Sequence, residues 1–139
     1  NLGNLPLLVS IGNGAFNSFA GKLTITNNTF PALVEIGDGA FSGASNKNSE
    51  VELINMTHLV SIGEDAFAMF VGKVTMTGNF PALAKIGQQA FYSASNPASS
   101  VLIYCNGGEL NVGEKAFENL GGQNSPPASE VMSGCLIGS

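Results

Sequence analysis

The chain contains no arginine and no tryptophan, a single histidine and two cysteines. Charge of either sign is scarce: five lysines face ten acidic residues, so 11% of positions are charged where about a quarter is usual. A net charge of −5 with no arginine excludes the basic footprint of a nucleic-acid-binding surface. A disordered acidic tail is excluded too, because such segments combine low hydrophobicity with high charge, and 44% of this chain is hydrophobic. No apolar run approaches the roughly 18–20 residues of a membrane-spanning helix, so no transmembrane segment is expected. His58 has no cysteine or acidic pair beside it in the sequence, which leaves no constellation for acid–base, nucleophilic or metal chemistry. It reads as a solvated turn residue, and the chain as non-enzymatic, with no cofactor and no metal.

What is abundant is glycine and phenylalanine, 18 and 9 residues, in a fixed order. Ile11-Gly12-Asn13-Gly14-Ala15-Phe16 returns as Ile36-Gly37-Asp38-Gly39-Ala40-Phe41 and as Ile62-Gly63-Glu64-Asp65-Ala66-Phe67. It returns again as Ile86-Gly87-Gln88-Gln89-Ala90-Phe91 and Val112-Gly113-Glu114-Lys115-Ala116-Phe117, at steps of 25, 26, 24 and 26 residues. Leu8, Leu33, Leu59 and Leu83 stand three positions before the isoleucine; the last copy has Glu109 there, with Leu110 beside it. A longer rhythm overlies the first, because Gly21–Thr26 and Phe30–Leu33 match Gly72–Thr77 and Phe80–Leu83, as if a two-coil unit had been duplicated. Periods of this size signal stacked repeats, each unable to bury its apolar face alone.

Between the motifs lie Leu23–Thr26, Val51–Ile54, Val74–Thr77 and Val101–Tyr104, which alternate with period two and are rich in β-branched residues, so they read as short strands. The repeat glycine is expected to support a positive-φ turn, and the Ala-Phe pair to sit on a short helical or 3₁₀ turn with the ring inward. Residues 1–139 thus read as a single solenoid domain with repeats at 1–20, 21–45, 46–71, 72–95 and 96–120, followed by an irregular segment 121–139. At a strand spacing of about 4.8 Å, five coils make a body roughly 24 Å long.

Leu-x-x-Ile-Gly-x-x-Ala-Phe, repeated five times with a strand between copies, resembles the BspA-like class of leucine-rich repeats from Leu5 to about Leu120. The resemblance implies a right-handed leucine-rich-repeat solenoid with one short parallel sheet face and turns or short helical turns on the other. It also implies a secreted or surface protein that binds proteins or host matrix and is not an enzyme.

If Leu23, Ile25, Val51, Leu53, Val74, Met76, Val101 and Ile103 point inward, alternation sends Thr24, Thr26, Glu52, Ile54, Thr75, Thr77, Leu102 and Tyr104 outward. Exposed Ile54, Leu102 and Tyr104 on a sheet face mark this set as a candidate partner-binding face; a flipped strand or a covering segment would account for them equally. The Thr-x-Thr pairs suggest an ice-binding lattice, but Glu52/Ile54 and Leu102/Tyr104 interrupt it at every second rung. The polar column Asn13, Asp38, Glu64, Gln88 and Glu114 is assigned to turn or cap use rather than calcium, and the Gly-x-Gly pairs lack the context of a phosphate loop.

Cys105 and Cys135 stand at the same offset from Val101 and Val131, so if 131–135 were the strand of a sixth coil the two sulfurs would share adjacent rungs. A disulfide and two buried free thiols are both compatible with that spacing. Asn27 and Asn55 head Asn-x-Thr triplets and are candidate glycosylation sites in a eukaryotic secretory route. Two functional readings follow. One is a recognition or adhesion module on a cell surface, outside the cell or in a secretory or organelle lumen, with a protein or glycan partner and no indicated homo-oligomer. The other is a structural subunit docked permanently into a larger assembly, membrane-associated ones included.

Overall fold

The protein, in a computed structural model, is described over residues 4–122 and 132–138. In chain order the strands are β1 (Ser10–Ile11), β2 (Lys22–Thr26), β3 (Glu35–Ile36), β4 (Glu50–Ile54), β5 (Ser61–Ile62) and β6 (Lys73–Asn79). They continue with β7 (Lys85–Ile86), β8 (Ser100–Tyr104), β9 (Glu109–Val112), β10 (Met132–Ser133) and β11 (Leu136–Gly138). The even strands through β10 form one parallel sheet in the order β10-β8-β6-β4-β2, and the odd strands form a second, β1-β3-β5-β7-β9-β11. The chain is therefore a parallel β-solenoid of about four turns.

The expected strand parity holds. Leu23, Ile25, Val51, Leu53, Val74, Met76, Val101 and Ile103 are all buried, and Leu33, Ile36, Leu59, Ile62, Leu83 and Ile86 close the core from the other sheet. One sheet face was expected and two are present. The isoleucine of each motif, to which no strand was assigned, pairs with its counterparts in the neighbouring coils: Ile11 with Ile36, Ile36 with Ile62, Ile62 with Ile86. A two-residue strand carries too short an alternation to be seen as a strand in sequence.

The expected helical turn at Gly-x-x-Ala-Phe is also different. Among the described residues the one helical element is the 3₁₀ turn Leu120–Gly122. Here the Ala40 N–H bonds back to Gly37 C=O within its own coil, while Phe41 N–H crosses to Ala66 C=O at 2.7 Å. Phe16, Phe67 and Phe91 cross in the same way to Ala40, Ala90 and Ala116. A helix would consume these N–H groups inside the coil; spending alternate ones on the neighbour requires a reversal of φ, supplied at Gly39 and Gly43, Asp65 and Met69, Gln89 and Ser93. The rings then stack: Phe16 on Phe41 at 5.1 Å, Phe41 on Phe67 at 5.0 Å, Phe67 on Phe91 at 5.1 Å and Phe91 on Phe117 at 5.7 Å.

The repeat glycine does not adopt positive φ, contrary to expectation; that falls two positions later. It is glycine because the preceding coil leaves no room. A Cβ on Gly63 would lie 2.6 Å from Asp38 N, and one on Gly87 would lie 2.5 Å from Glu64 N, whereas at Gly12 nothing lies within 4 Å. Gly87→Ala is therefore expected to force the coils apart and to cost about 1–3 kcal/mol. Gly12→Ala should be neutral or gain up to about 1 kcal/mol from a less flexible unfolded chain. Urea unfolding of both variants separates these outcomes; equal losses would refute the close-approach account.

The C-terminal segment expected to be irregular adds β10 and β11 to the two sheets, pairing with β8 and β9. Within that segment, residues 123–131, Val131 among them, lie outside the described residues.

Candidate functional site

The outer face of the long-strand sheet carries all eight residues expected there, and the register sets their neighbours. Lys22, Glu50 and Lys73 share one row; Thr24, Glu52, Thr75 and Ser100 the next; Thr26, Ile54, Thr77 and Leu102 the third. Tyr104 lies beyond them, opposite Asn79. The repeat alone would set Val101 against Val74, but Val101 pairs with Met76, two residues along.

The slide accompanies a one-residue difference between the coils. After Thr26 the chain makes a turn closed by Thr29, whose N–H donates to Thr26 C=O and whose Oγ1 accepts from Thr26 N–H. From Thr77 to Phe80 there is one residue fewer, that turn cannot form, and β6 stays extended to Asn79, with Phe80 N–H donating to Tyr104 C=O. Asn55 Oδ1 accepts from Asn79 N–H at 2.8 Å, and Ser99 Oγ accepts from Val74 N–H at 2.9 Å where the slide leaves a gap. A slide of two preserves side-chain parity, so the inner and outer sets survive it.

The first row is an ion-pair ladder: Glu50 lies 3.4 Å from Lys22 Nζ and 3.3 Å from Lys73 Nζ. Hydrogen bonds from Lys73 and then Lys22 hold the Glu50 carboxyl below its ordinary range, against the opposing effect of burial. In the second row Thr24 Oγ1 donates to Glu52 Oε2 at 3.5 Å, and Thr75 Oγ1 is enclosed without a protein hydrogen bond. The polar threonines and Ile54 are partly covered by their neighbours, except Thr24, which is exposed. Leu102 and Tyr104, alternate residues of one strand, stand out at 48% and 46% exposed.

Cys105 and Cys135 are joined by a disulfide, which decides between the two alternatives for their spacing. The rungs differ by one from the expected offset, because Met132 pairs with Ile103. Asn27 Oδ1 accepts from the Thr57 hydroxyl at 2.8 Å, and Asn55, with φ of 50°, uses its oxygen on Asn79. His58 is exposed, with Nδ1 3.2 Å from Thr57 Oγ1. The polar column serves the turns where its side chains are short: Asn13 Oδ1 accepts from Asp38 N–H and Asp38 Oδ1 from Glu64 N–H. Among the described residues no group of three or more His, Cys, Asp or Glu side chains is arranged to hold a metal ion, and no helix is long and apolar enough to cross a membrane.

Sequence reasoning missed a second apolar spot. Met69 and Val71 are exposed on the phenylalanine-turn side, in columns where neighbouring coils carry Gly43 and Ser93, Ser45 and Ser95. Aligning the repeats column by column reveals it: two apolar residues replace small or polar ones. No protein-family model, curated protein or solved structure matches the chain.

Proposed function

We propose that the chain is a non-enzymatic recognition or adhesion module, a solenoid of the BspA-like leucine-rich-repeat kind working on a cell surface, outside the cell or in a secretory lumen. The observation that carries this reading is the pair Leu102 and Tyr104, alternate residues on the outer sheet face and each about half exposed. Aromatic and aliphatic side chains held on a rigid sheet are efficient anchors, since little conformational freedom is lost when a partner covers them. Thr26 and Thr77, in the row of Leu102, give a polar flank on one side of these anchors. The Cys105–Cys135 bridge supports an oxidising compartment, where disulfides persist.

The test is the double substitution Leu102→Ser and Tyr104→Ser. Captures from the native source, with wild type and variant as bait, are compared by quantitative mass spectrometry, and the captured protein or glycan is then titrated. Binding is expected to weaken at least tenfold, with thermal stability unchanged because both side chains are already half in water. Unchanged affinity would remove this face from the function.

A permanently docked structural subunit is the second reading, favoured by exposed apolar residues on more than one side, Met69 and Val71 besides Leu102 and Tyr104. It requires co-purification at fixed stoichiometry and aggregation of the isolated chain, where the first reading requires a soluble monomer.

A further inference from the structure

The odd-strand sheet carries a stripe of its own on the flank of the solenoid. Val9, Val34, Val60 and Ala84 form one column, in which each carbonyl accepts the N–H of the next at 2.7–2.8 Å. Val9 is 56% and Val60 39% exposed, Ala84 is exposed and Val34 partly so. Beside it the register sets a second column, Ser10, Glu35, Ser61, Lys85 and Asn111. The isoleucine that follows each of the first four is buried, so by alternation these side chains face outward.

The two charges in the second column are placed antisymmetrically. Glu35 lies one coil before Ser61, and Lys85 one coil after it. Two strand spacings, about 10 Å, separate them, too far for an ion pair within the chain. Among the described residues the ion pairs are those of Glu50 with Lys22 and Lys73, so Glu35 and Lys85 are both unmatched. A two-fold axis lying in this face and parallel to β5 reverses the order of the coils in a second copy. Glu35 then meets Lys85 of that copy and Lys85 meets its Glu35, with Val60 on Val60 and Val34 on Ala84. Such a contact is isologous: one patch serves both partners. A two-fold axis along the stack of coils instead sets Glu35 on Glu35 and Lys85 on Lys85, so charge selects the first arrangement.

We propose that this stripe is a self-association surface whose partner is a second copy of the same chain, packed with its coils in reverse order. The valine column supplies the apolar contact, and Glu35 and Lys85 set its orientation. The contact is small. Beyond the strand the same axis brings the exposed Glu64 of the central coil toward its own copy, which confines the pairing to the two columns. A stripe roughly 24 Å long and about two residues wide falls well short of the about 800 Å² per partner of a stable interface. The isolated chain is therefore a monomer when dilute and pairs only when concentrated. Leu102 and Tyr104 belong to the other sheet, so pairing leaves both of them open.

Sedimentation equilibrium of the purified chain, from about 10 µM to about 1 mM, reads the association. Monomer at the low end and a reversible dimer at the high end are expected. Glu35→Lys and Lys85→Glu should each weaken pairing at least about fivefold, because two attractive contacts become repulsive. Glu35→Lys also reduces the net charge of −5, so a loss there cannot come from overall repulsion. Mixed in equal amounts, the two variants should pair with each other as tightly as the wild type, since each offers the charge that the other lacks. Val60→Asp, at the centre of the stripe, should abolish pairing. All three positions are exposed, so the melting temperatures should stay within a few degrees of the wild type. A monomer at every concentration, pairing indifferent to charge reversal, or variants that fail to pair when mixed would overturn the proposal. So would pairing lost on the double change Leu102→Ser and Tyr104→Ser, which would assign it to the other sheet.

Discussion

Replacing Phe67 by alanine is expected to lower stability by about 3–5 kcal/mol, the largest loss expected from any one side chain here. The ring is fully buried, stacked on Phe41 at 5.0 Å and Phe91 at 5.1 Å, with Phe70 edge-on at 6.2 Å. Each aromatic contact adds about 0.5–1.5 kcal/mol beyond the burial of its area. The cavity has little means of closing, because the spacing of the coils is held by backbone bonds on both sides of the ring: Phe41 N–H to Ala66 C=O and Phe67 N–H to Ala90 C=O, each 2.7 Å. Domains of this size are stable by about 5–15 kcal/mol, so the loss brings the variant close to its unfolding midpoint. Phe16→Ala is the control. Phe16 is half-buried and stacked on one side only, by Phe41, and its removal should cost about half as much. Denaturant unfolding followed by far-ultraviolet circular dichroism measures both, since there is no tryptophan to follow. Equal, small losses would show that the stacked rings do not hold the coils together.

Much of this architecture was legible in the residues, and the rest was hidden for physical reasons. The Phe16–Phe117 column and the inward set Leu23 to Ile103 follow from periodicity, because burial is what periodicity records. The second sheet was hidden because its strands β1, β3, β5 and β7 are two residues long. The repeat glycine was visible and its reason was not: a positive φ and a close approach both demand glycine, and only the distance from Gly63 to Asp38 distinguishes them. Likewise the Ala-Phe turn matches helical spacing in sequence, yet its N–H groups are divided between two coils. The candidate face was legible as a set but not as a surface. The two-residue slide of β8 sets Leu102 beside Thr77 and Tyr104 beside Asn79, which places the apolar pair at one end of the face.

That placement bears on how the C-terminal end is held. Leu102 and Tyr104 belong to β8, whose outer neighbour is the two-residue β10, with Met132 on Ile103 and Ser133 on Tyr104. Two rungs of parallel pairing hold a strand weakly.

The disulfide compensates for this. It joins Cys105, buried just after β8, to Cys135 between β10 and β11, across a separation of 30 residues that includes β9. In the chain-entropy account a loop of that length contributes about 3–4 kcal/mol. The Cys105→Ala/Cys135→Ser double variant, or reduction of the wild type, should lose stability of that order. The loss should also be uneven: the amides of Met132–Ser133 and Leu136–Gly138 should exchange fast, while those of β4 and β6, paired on both sides, keep their protection. Native-state hydrogen exchange with mass spectrometry reads both populations in one experiment. Uniform loss of protection across all coils would mean that the bridge acts on the whole fold and not on its end. If the end does fray, Tyr104 loses its outer neighbour on reduction, so partner binding through the Leu102–Tyr104 pair should weaken under reducing conditions before the protein unfolds.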